Sequence, residues 1–280
     1  MSVQRGVEVI REDGLQTFLK KSFMYGVNSL KDKLRRQYYL RKGDREISVH
    51  NFSSHFPQTD EYDYRVINSF NQHEKLMLSN LLSDLNEGDV VFDIGAHIGF
   101  YSCFLPQVAS EVIAFEPDPK NISYLQRNLE YNKLSQNVNI IEAAASNEEE
   151  TVTFGNSSFS RDEWSGKASI APQPGGDTLT VDTIRVDDLI DEGQVRLPSA
   201  VKIDVEGAEG LVLEGMEQTL KSDKCRVVYC EIHKESPIRQ SISDYGHSRS
   251  NITSILSEAG FEIEILAERG SEEHIRAVKS

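Results

Sequence analysis

Residues 90–101 read Val-Val-Phe-Asp-Ile-Gly-Ala-His-Ile-Gly-Phe-Tyr, and their reading decides the fold. The apolar run Val90 to Ile94 has the length and composition of a strand buried on both faces, the kind found in parallel sheets. Gly95 permits a tight strand-to-helix turn, and the spacing predicts a helix from Gly99 that packs against the strand through that glycine. The unpaired N–H groups opening such a helix would face a carboxylate or a phosphate. In an open parallel sheet, ligands bind at the carboxyl ends of the strands where strand order reverses, so this turn is the place to look for a cofactor.

Outward from that turn, strand and helix signals alternate. Downstream come a strand at 112–115, a helix at 121–131, a strand at 138–141, irregular strands and loops over 151–185, a strand at 201–205, a helix at 208–220 and a strand at 227–232. Upstream, Asn71 and Glu74 form a capping-box signature ahead of an apolar helix that Gly88 stops. Residues 46–66 read as short strands and loop. The chain closes with a helix at 251–259 ended by Gly260, then strands at 261–266 and 274–279 around a Gly270 turn. Alternation of this kind predicts an α/β fold, a doubly wound and mostly parallel sheet, with the final hairpin making one edge antiparallel. The reading divides the chain into an N-terminal extension, 1–66, and a main domain, 67–280. Ser157 to Asp177, rich in Ser, Gly and Pro, reads as a loop over the site.

Composition narrows the function classes. A chain of 280 residues with 38% hydrophobic content can build one large domain plus an extension. It has no apolar run of membrane-spanning length, and its first residues do not resemble a signal peptide, so the expected compartment is cytoplasmic. Cys103, Cys225 and Cys230 lack CxxC spacing and suggest buried, reduced thiols instead of a disulfide framework or zinc site. A net charge of -15 argues against nucleic-acid partners. Between Lys20 and Arg45, however, nine basic residues face only Asp32 and Asp44. Apolar residues recur there at helical spacing from Leu15 to Tyr38, so residues 15–45 predict a basic amphipathic helix. It would either pack on the domain with its cations solvated or dock peripherally on an anionic membrane.

Glu116 ends the second strand, 21 residues after Gly95, where an acid can accept hydrogen bonds from both hydroxyls of a ribose. NAD and S-adenosylmethionine (SAM) share that ribose. The turn itself separates them: a dinucleotide fingerprint reads GxGxxG to admit a pyrophosphate, whereas Asp93, Gly95 and Gly99 make DxGxxxG, with Ala96 and His97 inside it. A carboxylate at Asp93 would repel a pyrophosphate and attract the ammonium of SAM; as a structural alternative, it caps nearby backbone. The run Glu142 to Ser146 ends the third strand, and its small residues leave room for a flat adenine ring, although such residues also simply pack well.

Residues 202–209, Lys-Ile-Asp-Val-Glu-Gly-Ala-Glu, carry charge on alternate positions of an apparent core strand, so Lys202, Asp204 and Glu206 would share one face. Burying such charges is costly unless they pair, meet a ligand or do chemistry. Together with DIGAHIGFYS, FEPDP followed by Asn121, EAAASNEEETVTF and TVDTIRVDDL, the segment KIDVEGAEGLVLEGM resembles the FkbM-type, SAM-dependent methyltransferases of the Rossmann-like class I. The resemblance covers residues 67–280. It implies methyl transfer, usually to a hydroxyl of a sugar, glycolipid or secondary metabolite. By the same resemblance Asp93, Gly95, Gly99 and Glu116 match cofactor-binding positions, with Asn121 following the ribose acid and Ala144 near the adenine. His97 stands where the family more often has Asn, and both side chains can hydrogen-bond a carboxylate.

The fourth and fifth strands of this region should be neighbours, bringing Asp204 and Glu206 toward Glu231 and His233, which share a face by the period of two. Three readings are open. Either His233 or Asp204 is a general base while the other carboxylates orient the acceptor. Or Asp204, Glu231 and His233 bind a divalent metal that lowers the pKa of the acceptor hydroxyl. Or the group is an ion network in which Lys202 neutralises Asp204 or Glu206 and Glu209 complements the next helix N-terminus. Two other functions compete with the methyltransferase: a nicotinamide-dependent oxidoreductase and a catalytically silent interaction module.

Overall fold

The computed structural model describes residues 34, 36–70, 72–155, 178–236 and 240–279. Its strands are β1 (Asp44–Val49), β2 (Phe52–Pro57), β3 (Val90–Ile94), β4 (Glu111–Phe115), β5 (Val138–Ile141), β6 (Ala144–Ala145), β7 (Thr151–Gly155), β8 (Thr178–Ile184), β9 (Ala200–Ile203), β10 (Val227–His233), β11 (Glu262–Arg269) and β12 (Glu272–Val278). β1 and β2 form a two-stranded sheet, β6, β8 and β7 a small three-stranded one, and the remaining seven strands a single sheet ordered β11-β12-β10-β9-β3-β4-β5.

That order explains where the site lies. β3, β4 and β5 step outward in parallel, and the chain then returns to lay β9 on the other side of β3 and β10 beyond it. The direction reverses between β3 and β9, and the carboxyl ends of these two strands are where open α/β sheets generally bind ligands. β12 runs antiparallel to β10 and β11 antiparallel to β12, so the sheet is mixed at that edge, as the closing hairpin predicts. Val90, Phe92, Ile94, Val201, Ile203, Val228, Cys230 and Ile232 are all buried in one apolar cluster. Each such side chain contributes about 1.5–3 kcal/mol of burial free energy. Helix Gln72–Asp84 is anchored by its last residue: Asp84 accepts from the Tyr229 hydroxyl at 2.6 Å and from Nε and Nη2 of Arg276 at 2.7 and 2.9 Å. Burial would raise the Asp84 pKa, but the bonds from Arg276 and Tyr229 win and lower it.

Contacts divide the chain into two compact units, Met1–Glu46 with Phe56–Ser69 and Ile47–His55 with Phe70–Ser280. In the first, Arg45 donates to the Ile67 carbonyl at 2.9 Å and to Asn68 at 2.6 Å, while Asp63 accepts from the backbone and hydroxyl of Thr59. The second unit holds the seven-stranded sheet. Of the basic segment, residues 36–42 are helical, and residues 15–33 and 35 lie outside the described residues, as does the loop 157–177. Among the described residues no helix is long and apolar enough to cross a membrane. The three cysteines are buried free thiols.

Several local expectations are corrected. A helix, Glu61–Ser69, occupies part of the stretch read as strand and loop. No α-helix starts at Gly99; two 3₁₀ turns, Tyr101–Cys103 and Leu105–Gln107, take its place. Pro106, which lacks an N–H, shortens what can form there. Gly99 adopts φ +82°, and a Cβ on it would collide with Leu125 of helix Pro119–Tyr131, so its small size serves that helix and not the strand. The helix expected over 208–220 is two, Glu209–Glu214 and Glu217–Lys221, because Gly215 interrupts it and Asp187 accepts the backbone N–H groups of Gln218 and Thr219 at the second start. The fourth strand ends at Ile203, so Asp204 and Glu206 leave the ladder and the alternation of two no longer governs them.

Candidate active site

The carboxyl ends of β3 and β9 meet at Gly95 and Asp204. Asp204 donates its backbone N–H to the Ile94 carbonyl at 3.1 Å, and Gly95 holds φ +78° with the Asp204 carbonyl so near that any Cβ would strike it. Only glycine fits, because both the backbone conformation and the approach exclude a side chain. The N–H groups of Gly95 and Ala96 both donate to the Phe115 carbonyl, at 3.0 and 2.9 Å, which ties the turn to the end of β4.

Glu116 locks the same turn from the next strand. Its buried carboxylate accepts from the backbone N–H of His97 at 2.8 Å, from that of Asp118 at 3.0 Å and from Asn121 Nδ2 at 3.2 Å. His97 itself sits at φ +53°, an uncommon conformation for a residue with a side chain, and the Glu116 bond helps to hold it. Burial pushes the Glu116 carboxyl up to about 7 against those three hydrogen bonds. A carboxylate offers about four lone-pair sites, so capacity is left for a hydroxyl donor.

Asp93 has internal partners. Its fully buried carboxylate faces Lys202 Nζ at 3.2 Å and accepts from the Ser102 hydroxyl at 2.6 Å. Lys202 lies opposite Asp93 in the parallel register, so the pairing follows from strand order; it also donates to the Gly95 carbonyl at 2.9 Å. Lys202 therefore neutralises Asp93 and braces the glycine turn, and the expected pairing with Asp204 or Glu206 is replaced. Its Nζ also lies 5.1 Å from the Tyr101 ring centroid. Burial lowers the Lys202 pKa, but Asp93 and then Asp204 outweigh it and raise it.

Beyond Asp204 the expected acids do converge. Nε2 of buried His233 lies 3.3 Å from Glu206 Oε2, 3.5 Å from Glu231 Oε1 and 3.9 Å from Asp204 Oδ1. Its Nδ1 meets Glu209 Oε1 at 2.7 Å, and that same oxygen accepts the Gly207 N–H at 2.9 Å. Glu209 thus does more than complement a helix start: it orients His233. Glu206 stands at φ +56°, so the two strained residues of the region, His97 and Glu206, stand on the turns that follow β3 and β9. Burial lowers the His233 pKa, but Glu209, Asp204 and Glu231 together raise it. Ala144 lies apart from this group, on a two-residue strand of the small sheet, paired with Thr183.

Two members were not singled out as site residues from sequence. His274 on β12 is opposite Glu231 in the antiparallel register and places Nε2 3.2 Å from Glu231 Oε2. Glu74 accepts from the Tyr101 hydroxyl at 2.9 Å, and burial, then Glu231 and Asp204, push its carboxyl up to about 7. The capping-box reading hid Glu74; its partner in that reading, Asn71, lies outside the described residues. Only the polar run Glu272-Glu273-His274 inside a buried strand hinted at His274.

Residues 93–263 match the Methyltransferase FkbM domain. The chain belongs to the FkbM methyltransferase family. It is 30% identical over 192 residues to hexuronic acid methyltransferase AglP of Haloferax volcanii, covering 69% of this chain and 71% of that protein. To 31-O-demethyl-FK506 methyltransferase FkbM of Streptomyces tacrolimicus it is 27% identical over 177 residues, covering 54% and 67% respectively. Among solved structures it is similar to methyltransferase FkbM from Methylobacillus flagellatus KT, at 16% identity and TM-score 0.47, over 91% of this chain and 60% of that one. This FkbM-family protein is a SAM-dependent methyltransferase on a Rossmann-like sheet.

Proposed function

We propose that this methyltransferase transfers the methyl group to a hydroxyl oxygen of a sugar, a sugar-bearing lipid or a secondary metabolite. The observation that carries the reading is the contact of Gly95 with Asp204: it sets the cofactor turn directly against the carboxylate–histidine cluster. The names of the relatives, a hexuronic acid methyltransferase and a 31-O-demethyl-FK506 methyltransferase, agree with an acceptor of this class.

In this reading Glu116, positioned by Asn121 and the His97 backbone, accepts a ribose hydroxyl, while the turn Gly95-Ala96-His97 and Gly99 line the methionine end. Asp93 holds the turn through Lys202, and Ala144 borders the adenine. When bound, SAM supplies an electrophilic methyl on a sulfonium. In-line displacement needs the acceptor oxygen held close behind that methyl and its proton removed. His233, whose pKa the surrounding carboxylates raise, orients the acids around it. Asp204, beside the glycine turn and partly exposed, then takes the acceptor proton, and Glu206 and Glu231 hold the hydroxyl in line. The carbon–sulfur bond breaks as the carbon–oxygen bond forms, leaving S-adenosylhomocysteine and a methyl ether.

Calorimetry with S-adenosylhomocysteine and NADH, followed by transfer of labelled methyl to a panel of uronic acids, neutral sugars and macrolide alcohols, tests the reading. Binding of S-adenosylhomocysteine with labelling of an alcohol oxygen is expected. Binding of NADH instead would restore the oxidoreductase, and cofactor binding with no methylated acceptor would favour the silent module.

A further inference from the structure

The strongest unexplained feature of the molecule is the lone nitrogen at the centre of its acidic cluster. His233 is 1% exposed, and its Nε2 has no hydrogen-bond partner among the described residues. Its Nδ1 is committed to Glu209, so in the neutral ring the bare Nε2 lone pair faces Glu206, Glu231 and Asp204 at 3.3, 3.5 and 3.9 Å. A lone pair surrounded by carboxylate oxygens is electrostatically unfavourable unless a positive charge lies between them. Lys202 pairs with Asp93, and His274 faces the far oxygen of Glu231.

We propose that a divalent metal ion binds between Asp204, Glu206 and His233 Nε2, replacing the proton on that nitrogen. The ligand atoms of these three residues lie within 4.8 Å of one another. In an octahedral site with bonds of about 2.1 Å, adjacent ligand atoms stand about 3.0 Å apart and opposite ones about 4.2 Å, which brackets the observed separations from Nε2. Two carboxylates balance a charge of two, and the imidazole shifts preference from calcium and magnesium toward manganese or zinc. Glu209 supplies the outer partner that metal-bound imidazoles generally have, fixing the ring and the tautomer through Nδ1. The site deepens the methyl-transfer reading and rests on it for its purpose: the ion would lower the pKa of the acceptor hydroxyl, and Asp204 would give one oxygen to the ion and the other to the hydroxyl proton.

The test reads metal binding directly. The full chain is stripped with a chelator and titrated with Mn²⁺, Zn²⁺ and Mg²⁺, followed by calorimetry and, for Mn²⁺, by loss of the free-ion paramagnetic signal. One saturable site per chain is expected, with Mn²⁺ or Zn²⁺ preferred over Mg²⁺. Glu206→Gln, at a partly exposed turn position, should weaken it at least 10-fold, and Glu209→Gln 10- to 100-fold, with the circular dichroism spectrum of each unchanged. A stripped, folded chain that takes up none of the three ions at 1 mM overturns the proposal, as does a Glu206→Gln protein that binds Mn²⁺ as tightly as the parent. The methyl-transfer reading fails separately: metal uptake without S-adenosylhomocysteine binding sinks that reading and leaves the metal site standing, and methyl transfer unchanged in a metal-free chain leaves that reading standing and overturns the ion's role in it.

Discussion

In the proposed reading, Glu116 couples the fold to the cofactor through one proton. Its carboxyl, pushed up to about 7 by burial, is half ionised near neutral pH, and only the ionised form accepts a ribose hydroxyl well beside its three internal hydrogen bonds. Affinity for S-adenosylhomocysteine is therefore expected to rise between pH 6 and 8. Glu116→Gln should weaken it about 10- to 100-fold, the equivalent of a charged hydrogen bond, and flatten the pH profile. Stability moves oppositely. A folded pKa above the unfolded 4.5 means the contribution is complete below 4.5 and is lost as pH rises through about 7, a change of about 3 kcal/mol. Urea unfolding of the ligand-free protein should show this slope added to that of Glu74, whose carboxyl is also pushed up to about 7, and Glu116→Gln should remove about half of the total. The Asp93–Lys202 pair makes a second expectation at this scale. Lys202→Met leaves a buried carboxylate alone and should cost about 3–5 kcal/mol. Replacing both residues, as Asp93→Asn with Lys202→Met, should cost less than the lysine change alone, and a larger loss in the double variant would contradict the pairing.

Among the elements, the glycine turn and the helix anchored by Asp84 decide the most. Gly95→Ala places a methyl against the Asp204 carbonyl at φ +78°, so β3 and β9 must part at their carboxyl ends. The expected outcome is loss of S-adenosylhomocysteine binding in calorimetry, with a stability loss of about 1–3 kcal/mol from backbone strain. Wild-type binding in that variant would show that the site tolerates the separation. Asp84→Ala strands the Tyr229 hydroxyl and Arg276 at the other end of helix Gln72–Asp84. It should cost about 1–3 kcal/mol in urea unfolding, the penalty of leaving such groups unpaired, while leaving cofactor affinity unaltered.

At the scale of the whole molecule, strand order assembles a site from segments far apart in sequence. Glu74 comes from the first helix of the large unit, Asp204 and Glu206 from the turn after β9, Glu231 and His233 from β10, and His274 from the closing hairpin. The hairpin also covers β10, whose seven residues are all buried. A chain cut before Glu262 would expose that strand as an open edge, and it should lose its cooperative thermal transition and aggregate. A soluble, folded truncation would show that β11 and β12 are an accessory to the sheet.

What the sequence determined by itself is what short-range chemistry dictates. Apolar runs of four to seven residues and glycines at the turns are local signals, and they were enough for the parallel sheet and its antiparallel edge. Local signals failed where the chain left regular geometry: the period of two stopped at Ile203, and the turn beyond it, not the strand, swings Glu206 toward His233. Only the tertiary structure decided which charge meets which. Lys202 pairs with Asp93 because β9 lies beside β3, and His274 faces Glu231 because β12 lies beside β10. Register across a sheet is a property of two distant segments together, and no pattern within either one contains it.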